Sequence, residues 1–184
     1  MPLESVLAKR VSELSQAFAK HDIIALKQLG GDAAEDAFAA DAPCLVDVSI
    51  VAYSLAKFLE KPYIVASADW KDFEQTASQS LSQALAEASA AKPGEACRGL
   101  HSLLQAIEEL SRRLGRFTTG VVEKARVKAA TQVYAHGASL GKAVELTGAN
   151  KQELSRYIGV TRLSEKYQTL GVRKRLSVAQ ELFK

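Results

Sequence analysis

The sequence predicts an all-α protein, and three observations carry that expectation. Apolar residues recur at three- and four-residue spacing in nearly every segment of the 184-residue chain. Proline and glycine fall mostly where that periodicity breaks. Only one stretch, between Pro43 and Lys61, offers a competing strand pattern.

The first helix is expected in PLESVLAKRVSELSQAFAK, where Val6, Leu7, Val11, Leu14 and Phe18 mark one face and Pro2 takes a favoured first position. A shorter helical piece opens at Asp22 and is expected to end at Gly30-Gly31, because glycine tolerates the left-handed turn that closes helices. Asp32 then opens an Ala-rich run to about Ala40. From Pro43 to Lys61, the residues Leu45, Val48, Val51, Ala52, Leu55, Phe58 and Leu59 form a helical face. The local run CLVDVSIV would also suit a buried strand, but the helical pattern holds for more than three turns and is preferred. Pro62 ends it, and the YIVAS that follows is too short to assign.

Ser67 or Asp69 caps a long helix bearing Trp70, Phe73, Ala77, Leu81, Ala84 and Ala88, which stops at Lys92-Pro93-Gly94. The next helix presents Cys97, Leu100, Leu103, Leu104, Ile107, Leu110 and Leu114, and Gly115 closes it. Thr118 or Thr119 starts a helix over 118–136 through Val122, Ala125, Ala129 and Val133. No internal repeat is present, and the Ala and Ser bias of residues 76 to 91 follows from helix propensity.

Composition is that of a globular protein, 47% hydrophobic and 24% charged. No run reaches the roughly 18 uncharged apolar residues of a membrane span, and Glu4, Lys9 and Arg10 crowd the start. Neither a signal peptide nor a membrane anchor is expected, which points to the cytoplasm. Cys44 and Cys97 stand far apart without neighbours at metal-ligand spacing, so neither a disulfide framework nor a zinc cluster follows, and a reducing compartment fits. Cys97 and His101 share a helix face, but two ligands do not make a metal site. No metal and no cofactor are expected.

The net charge of +3 hides a division. Residues 1 to 110 carry 9 Lys and Arg against 16 Asp and Glu, whereas residues 111 to 184 carry 15 against 5. The chain thus reads as an acidic N-terminal helical bundle, 1–115, followed by a basic unit, 116–184. A basic half suits a polyanion, because each neutralised phosphate releases counterions.

Within that unit lies SLGKAVELTGANKQELSRYIG, residues 139 to 159. Ser139 caps a short helix holding Leu140, Ala143 and Leu146, and Gly148 permits a tight turn. Asn150 caps a second helix in which Leu154 and Ile158 face inward, and Gly159 ends it. Lys151, Gln152, Glu153, Ser155 and Arg156 point outward. Two short helices across a glycine turn, the second with a polar face, are what a helix-turn-helix needs to seat one helix in the major groove, and with the helix over 118–136 as the first they make a tri-helical unit.

The run AVELTGANKQELSRYI resembles the helix-turn-helix of bacterial repressor families, which share a small residue early in the first helix, a turn glycine and two inward apolar residues. Val144 departs from the alanine usual there and implies a slightly wider helix approach. The longer stretch from Tyr134 to Ile158, about 25 residues, is similar to the core of a family of small uncharacterised prokaryotic antitoxins. That resemblance implies DNA binding or toxin partnering, since such antitoxins commonly repress their own operons. By position it places Lys151, Gln152 and Arg156 against base edges. Gln suits adenine, and Arg or Lys suits guanine. Ser155 lies on the same helix. Asn150, Ser139 and Lys142 are then phosphate candidates near helix N-termini. Arg162, Lys166 and the cluster Arg173-Lys174-Arg175 extend the basic track.

The expected function is sequence-selective binding of double-stranded DNA by a transcriptional regulator, as a homodimer reading two half-sites. The alternative is an antitoxin-like or adaptor module that holds a protein partner, with the N-terminal bundle as a further protein-binding surface. An enzyme ranks third. The stretch LVDVSIVAYSL around Asp47 resembles the first strand and acidic residue of PIN-type metal-dependent nucleases, with Asp69, Asp72 and Glu74 as further carboxylates, but the other strands of that fold are not visible. Asp47 reads more simply as a solvent-facing residue on a core helix. Gly137 to Gly141 matches the G-x-S-x-G nucleophile elbow in letters, yet a helix precedes Ser139 and neither Asp nor His follows it. No catalytic residue is assigned.

Overall fold

The computed structural model describes residues 3–115 and 120–161. Among them are nine helices and no strand: α1 (Leu3–Ala19), α2 (Ile23–Ala40), α3 (Pro43–Leu59), α4 (Pro62–Val65), α5 (Ala68–Ser89), α6 (Pro93–Arg113), α7 (Val121–Ala135), α8 (Leu140–Thr147) and α9 (Lys151–Thr161). The protein is all-α. No helix among the described residues is long and apolar enough to cross a membrane.

Helix α3 is the axis of the molecule and touches α1, α2, α4, α6, α7 and α8. That explains the ambiguity of CLVDVSIV: a helix walled in on nearly all sides is apolar all round and loses its one-faced signature. Twelve of its 17 residues are buried. Around its C-terminal half, Trp70 of α5 meets Phe18 of α1, Phe58 of α3 and Phe73 with ring centroids 5.5 to 6.2 Å apart. Edge-to-face contacts of this kind add to the apolar area that the rings bury. Trp70 and the leucine face from Leu100 to Leu110 are therefore core, and offer no surface to a second copy.

Three expectations about boundaries need correction. Helix α2 runs unbroken through Gly30 and Gly31 to Ala40. Gly30 serves packing rather than termination: a Cβ there would stand 3.3 Å from the Ser49 carbonyl of α3, and Ser49 Oγ donates to the Gly30 carbonyl at 2.6 Å. Helix α7 begins at Val121 after Gly120 in the left-handed region, and the proposed starts Thr118 and Thr119 lie outside the described residues. Helix α9 continues past Gly159 to Thr161, since a glycine with ordinary helical φ only weakens a helix. Of the two candidate caps for α5, Ser67 takes the role and accepts from Trp70 N at 3.1 Å.

Cys44 and Cys97 form a disulfide, with Cα atoms 5.4 Å apart across 53 residues. This overturns the reading of two unpaired thiols and removes the basis for assigning a reducing compartment. Chain spacing carries no trace of the pairing of α3 with α6 that brings the two together. A single hydrophobic core runs from Leu7 to Leu154 and crosses the charge boundary at residue 115, because α7 packs on α2, α3 and α6.

Candidate functional site

Helices α7, α8 and α9 pack on one another, and local chemistry fixes each end. Ser139 Oγ accepts from Lys142 N at 3.1 Å and starts α8, so the serine of the G-x-S-x-G string is a cap that follows a helix. Gly148 ends α8 with φ +65°, where a side chain would also strike Arg126 Nη1 at 2.8 Å. Two residues later, Asn150 Oδ1 accepts from Gln152 N at 2.9 Å and Glu153 N at 3.1 Å, which opens α9.

Leu154 is fully buried and Ile158 half-buried, and these two pin α9 to the body. At roughly 100° per residue, Arg156 projects nearly opposite that anchored edge, with Gln152 and Val160 on its stripe. Lys151, Gln152, Ser155 and Arg156 are all exposed. In α8 Ala143 and Thr147 are fully buried, while Val144 is half-buried.

The phosphate candidates divide. Asn150 and Ser139 use their side-chain oxygens in the caps. Lys142 Nζ lies 2.9 Å from Asp41 Oδ1, at the end of α2, and 3.9 Å from Glu145. The bond to Asp41 raises the lysine's pKa, holding it charged but engaged. Arg162, Lys166 and the cluster at 173–175 lie outside the described residues. Within 120–161, six Lys and Arg face three Asp and Glu, so much of the basic excess of the last third belongs to other residues.

Two arrangements escaped sequence reasoning. The first is a groove of about 430 Å³ where α9 leans over α7 toward α3. Lys124 and Lys128, four apart on α7, line it with Arg156 and Tyr157 of α9 and Tyr53 of α3. Among the described residues, none of these three cations forms an ion pair. The spacing of Lys124 and Lys128 was visible in the chain, but the approach of Tyr53 was not.

The second is a cleft of about 640 Å³ between α3, α6 and the α8 turn. Asp47 is its half-buried acid, with the side chain only 24% exposed and His101 Nδ1 3.8 Å away. Burial raises its pKa, and the charges of His101 and Arg126 oppose the rise. Asp47 is thus not the solvent-facing residue expected. Nor does it join the other acids of the nuclease reading: the segment around it is helix, Glu74 pairs with His21, and Asp69 sits near Arg113. His101 faces this carboxylate while Cys97 is in the disulfide. Among the described residues no group of three or more His, Cys, Asp or Glu is placed to hold a metal. No family model matches the chain, and no curated protein or solved structure matches it either.

Proposed function

We propose that the chain binds double-stranded DNA sequence-selectively, with α8 and α9 as a helix-turn-helix, and regulates transcription. The observation that supports this best is α9 itself: anchored through Leu154 and Ile158, it leaves Lys151, Gln152, Ser155 and Arg156 in solvent on a helix only 11 residues long. A short, rigidly capped helix with long hydrogen-bonding side chains suits a major groove about 12 Å wide. Lys142 contributes to the phosphate contacts once Asp41 is released, and a homodimer places two such helices on successive turns.

One observation favours a second reading, a protein partner held by the same helices. Lys142 is already neutralised by Asp41 and Glu145, which lowers the net positive charge that α8 presents. Fluorescence anisotropy against a selected site and a scrambled duplex at several salt concentrations separates the two. DNA binding through Z phosphates gives a log–log salt slope near about −0.9Z. Arg156→Ala is expected to cost about 1–3 kcal/mol on the selected site and much less on the scrambled one. Absence of salt-dependent binding by the wild type overturns the DNA reading in favour of the protein partner.

A further inference from the structure

The groove between α7, α9 and Tyr53 has the two properties of a small-molecule site. Its volume of about 430 Å³ lies within the range of roughly 300–1,000 Å³ in which ligand pockets fall. Its apolar and aromatic lining is Val127, which is buried, Tyr53, which is half-buried, Tyr157, which is 40% exposed, and Val160, which is 78% exposed. Half of the eight lining residues are charged, and the charge is of one dominant sign. Lys124, Lys128 and Arg156 converge on the groove against the single carboxylate of Glu153.

Charge and shape together select the ligand. Elsewhere in the molecule, cations that sit over part-buried surface are matched by carboxylates: Arg10 by Asp36 and Glu13, Lys57 by Glu60, Lys142 by Asp41. In the groove Lys128 is part-buried while Lys124 and Arg156 are exposed, and none of the three has an ion pair among the described residues. A neutral ligand would leave them so, and a cation would be repelled. A bare phosphate would satisfy the charge but leave the tyrosine and valine surface wet. We propose that this groove binds an amphipathic organic anion, an aromatic or branched carboxylate, with its acid group on Lys124, Lys128 and Arg156 and its apolar body against Tyr53, Val127 and Tyr157. The guanidinium offers a carboxylate two parallel N–H donors, and the rings offer flat apolar contact at little entropic cost.

The site has a consequence for the function proposed above, and that consequence alone rests on it. Arg156 belongs both to the groove and to the exposed stripe of α9. A ligand anion and a guanine edge therefore compete for one guanidinium, so that the bound acid releases DNA.

The test uses the full chain, labelled with ¹⁵N, and two probes of one shape: 1-naphthoate and the neutral 1-naphthamide. Naphthoate is expected to shift the amide signals of residues 124–128 and 153–160, with naphthamide binding about tenfold more weakly because it forfeits the charge-assisted bonds. Lys124→Gln combined with Lys128→Gln alters surface side chains only, and unchanged distant signals will confirm the fold. This pair is expected to weaken naphthoate about tenfold and leave naphthamide as it was. No shifts, shifts confined to other helices, equal binding of the two probes, or undiminished naphthoate binding by the double variant would each overturn the site. In the anisotropy assay, saturating naphthoate is expected to weaken the selected duplex as Arg156→Ala does. Naphthoate binding that leaves DNA affinity untouched removes the competition and keeps the groove. A wild type that binds naphthoate but no DNA removes the DNA reading alone.

Discussion

Helix α3 and helix α9 are neighbours of α7 with opposite relations to solvent. Helix α3 buries twelve of its 17 residues and carries the core, while among the described side chains of α9 only Leu154 is fully buried. The contrast separates what the chain needs in order to fold from what it presents outward. Residues of α3 are constrained by packing, because a close-packed interior registers even one methylene. Among the described residues, Lys151, Gln152, Ser155 and Arg156 of α9 are exposed and core packing does not fix them.

The sharpest way to break this contrast is to truncate one residue from each helix. Phe58→Ala removes a fully buried ring that packs on Trp70 and Phe73, and is expected to cost about 3–5 kcal/mol in urea unfolding. Gln152→Ala on α9 is expected to stay within about 0.5 kcal/mol of the wild type. A comparable cost for both would show that α9 is part of the stability framework. The disulfide gives the next largest effect. Cys44→Ala with Cys97→Ala opens a loop of 53 residues and is expected to cost about 2–4 kcal/mol while leaving the binding isotherms of α9 unchanged.

The same two regions differ in how far the sequence disclosed them. The ends of α8 and the start of α9 were legible residue by residue, since Ser139, Gly148 and Asn150 act through neighbours no more than five positions away. Helix type was legible for α1, α5 and α6, whose single apolar faces keep a period near 3.6. What stayed hidden depends on contacts between distant segments. Gly30-Gly31 reads as a helix end because local rules cannot know that Ser49 will press against it. The disulfide, the half-buried Asp47 and the approach of Tyr53 to α9 follow likewise from the pairing of α3 with α2, α6 and α7, which no local pattern encodes.

Two glycines sharpen the contrast at smaller scale. At Gly30 the facing carbonyl of Ser49 leaves no room, so Gly30→Val overpacks the α2–α3 contact and is expected to cost about 1–3 kcal/mol. Among the described residues, nothing lies within 4 Å of a Cβ added at Gly159 of α9. Gly159→Ala is therefore expected to stabilise by about 0.5–1 kcal/mol through helix propensity, read as a rise in the urea midpoint. A loss of stability in Gly159→Ala would reveal a neighbour over α9 in the folded chain.

The smallest effect lies at Asp47, in the cleft between α3, α6 and the α8 turn. Burial raises its pKa, and the nearby charges of His101 and Arg126 only partly offset that. An acid whose pKa is higher in the fold than in the open chain favours the fold while protonated. Its contribution is fully present below the ordinary aspartate pKa of about 3.9 and is lost as pH rises through the raised value. Above that window the wild type carries a half-buried carboxylate that Asp47→Asn replaces with a neutral group of the same shape. The variant should match the wild type in thermal midpoint near pH 3 and exceed it at neutral pH. Equal midpoints across the whole range would mean that solvent in the cleft screens Asp47 fully. A variant less stable at neutral pH would mean instead that Arg126 and His101 hold the carboxylate in place, making the cleft a fixed electrostatic joint between the core and the turn that carries α9.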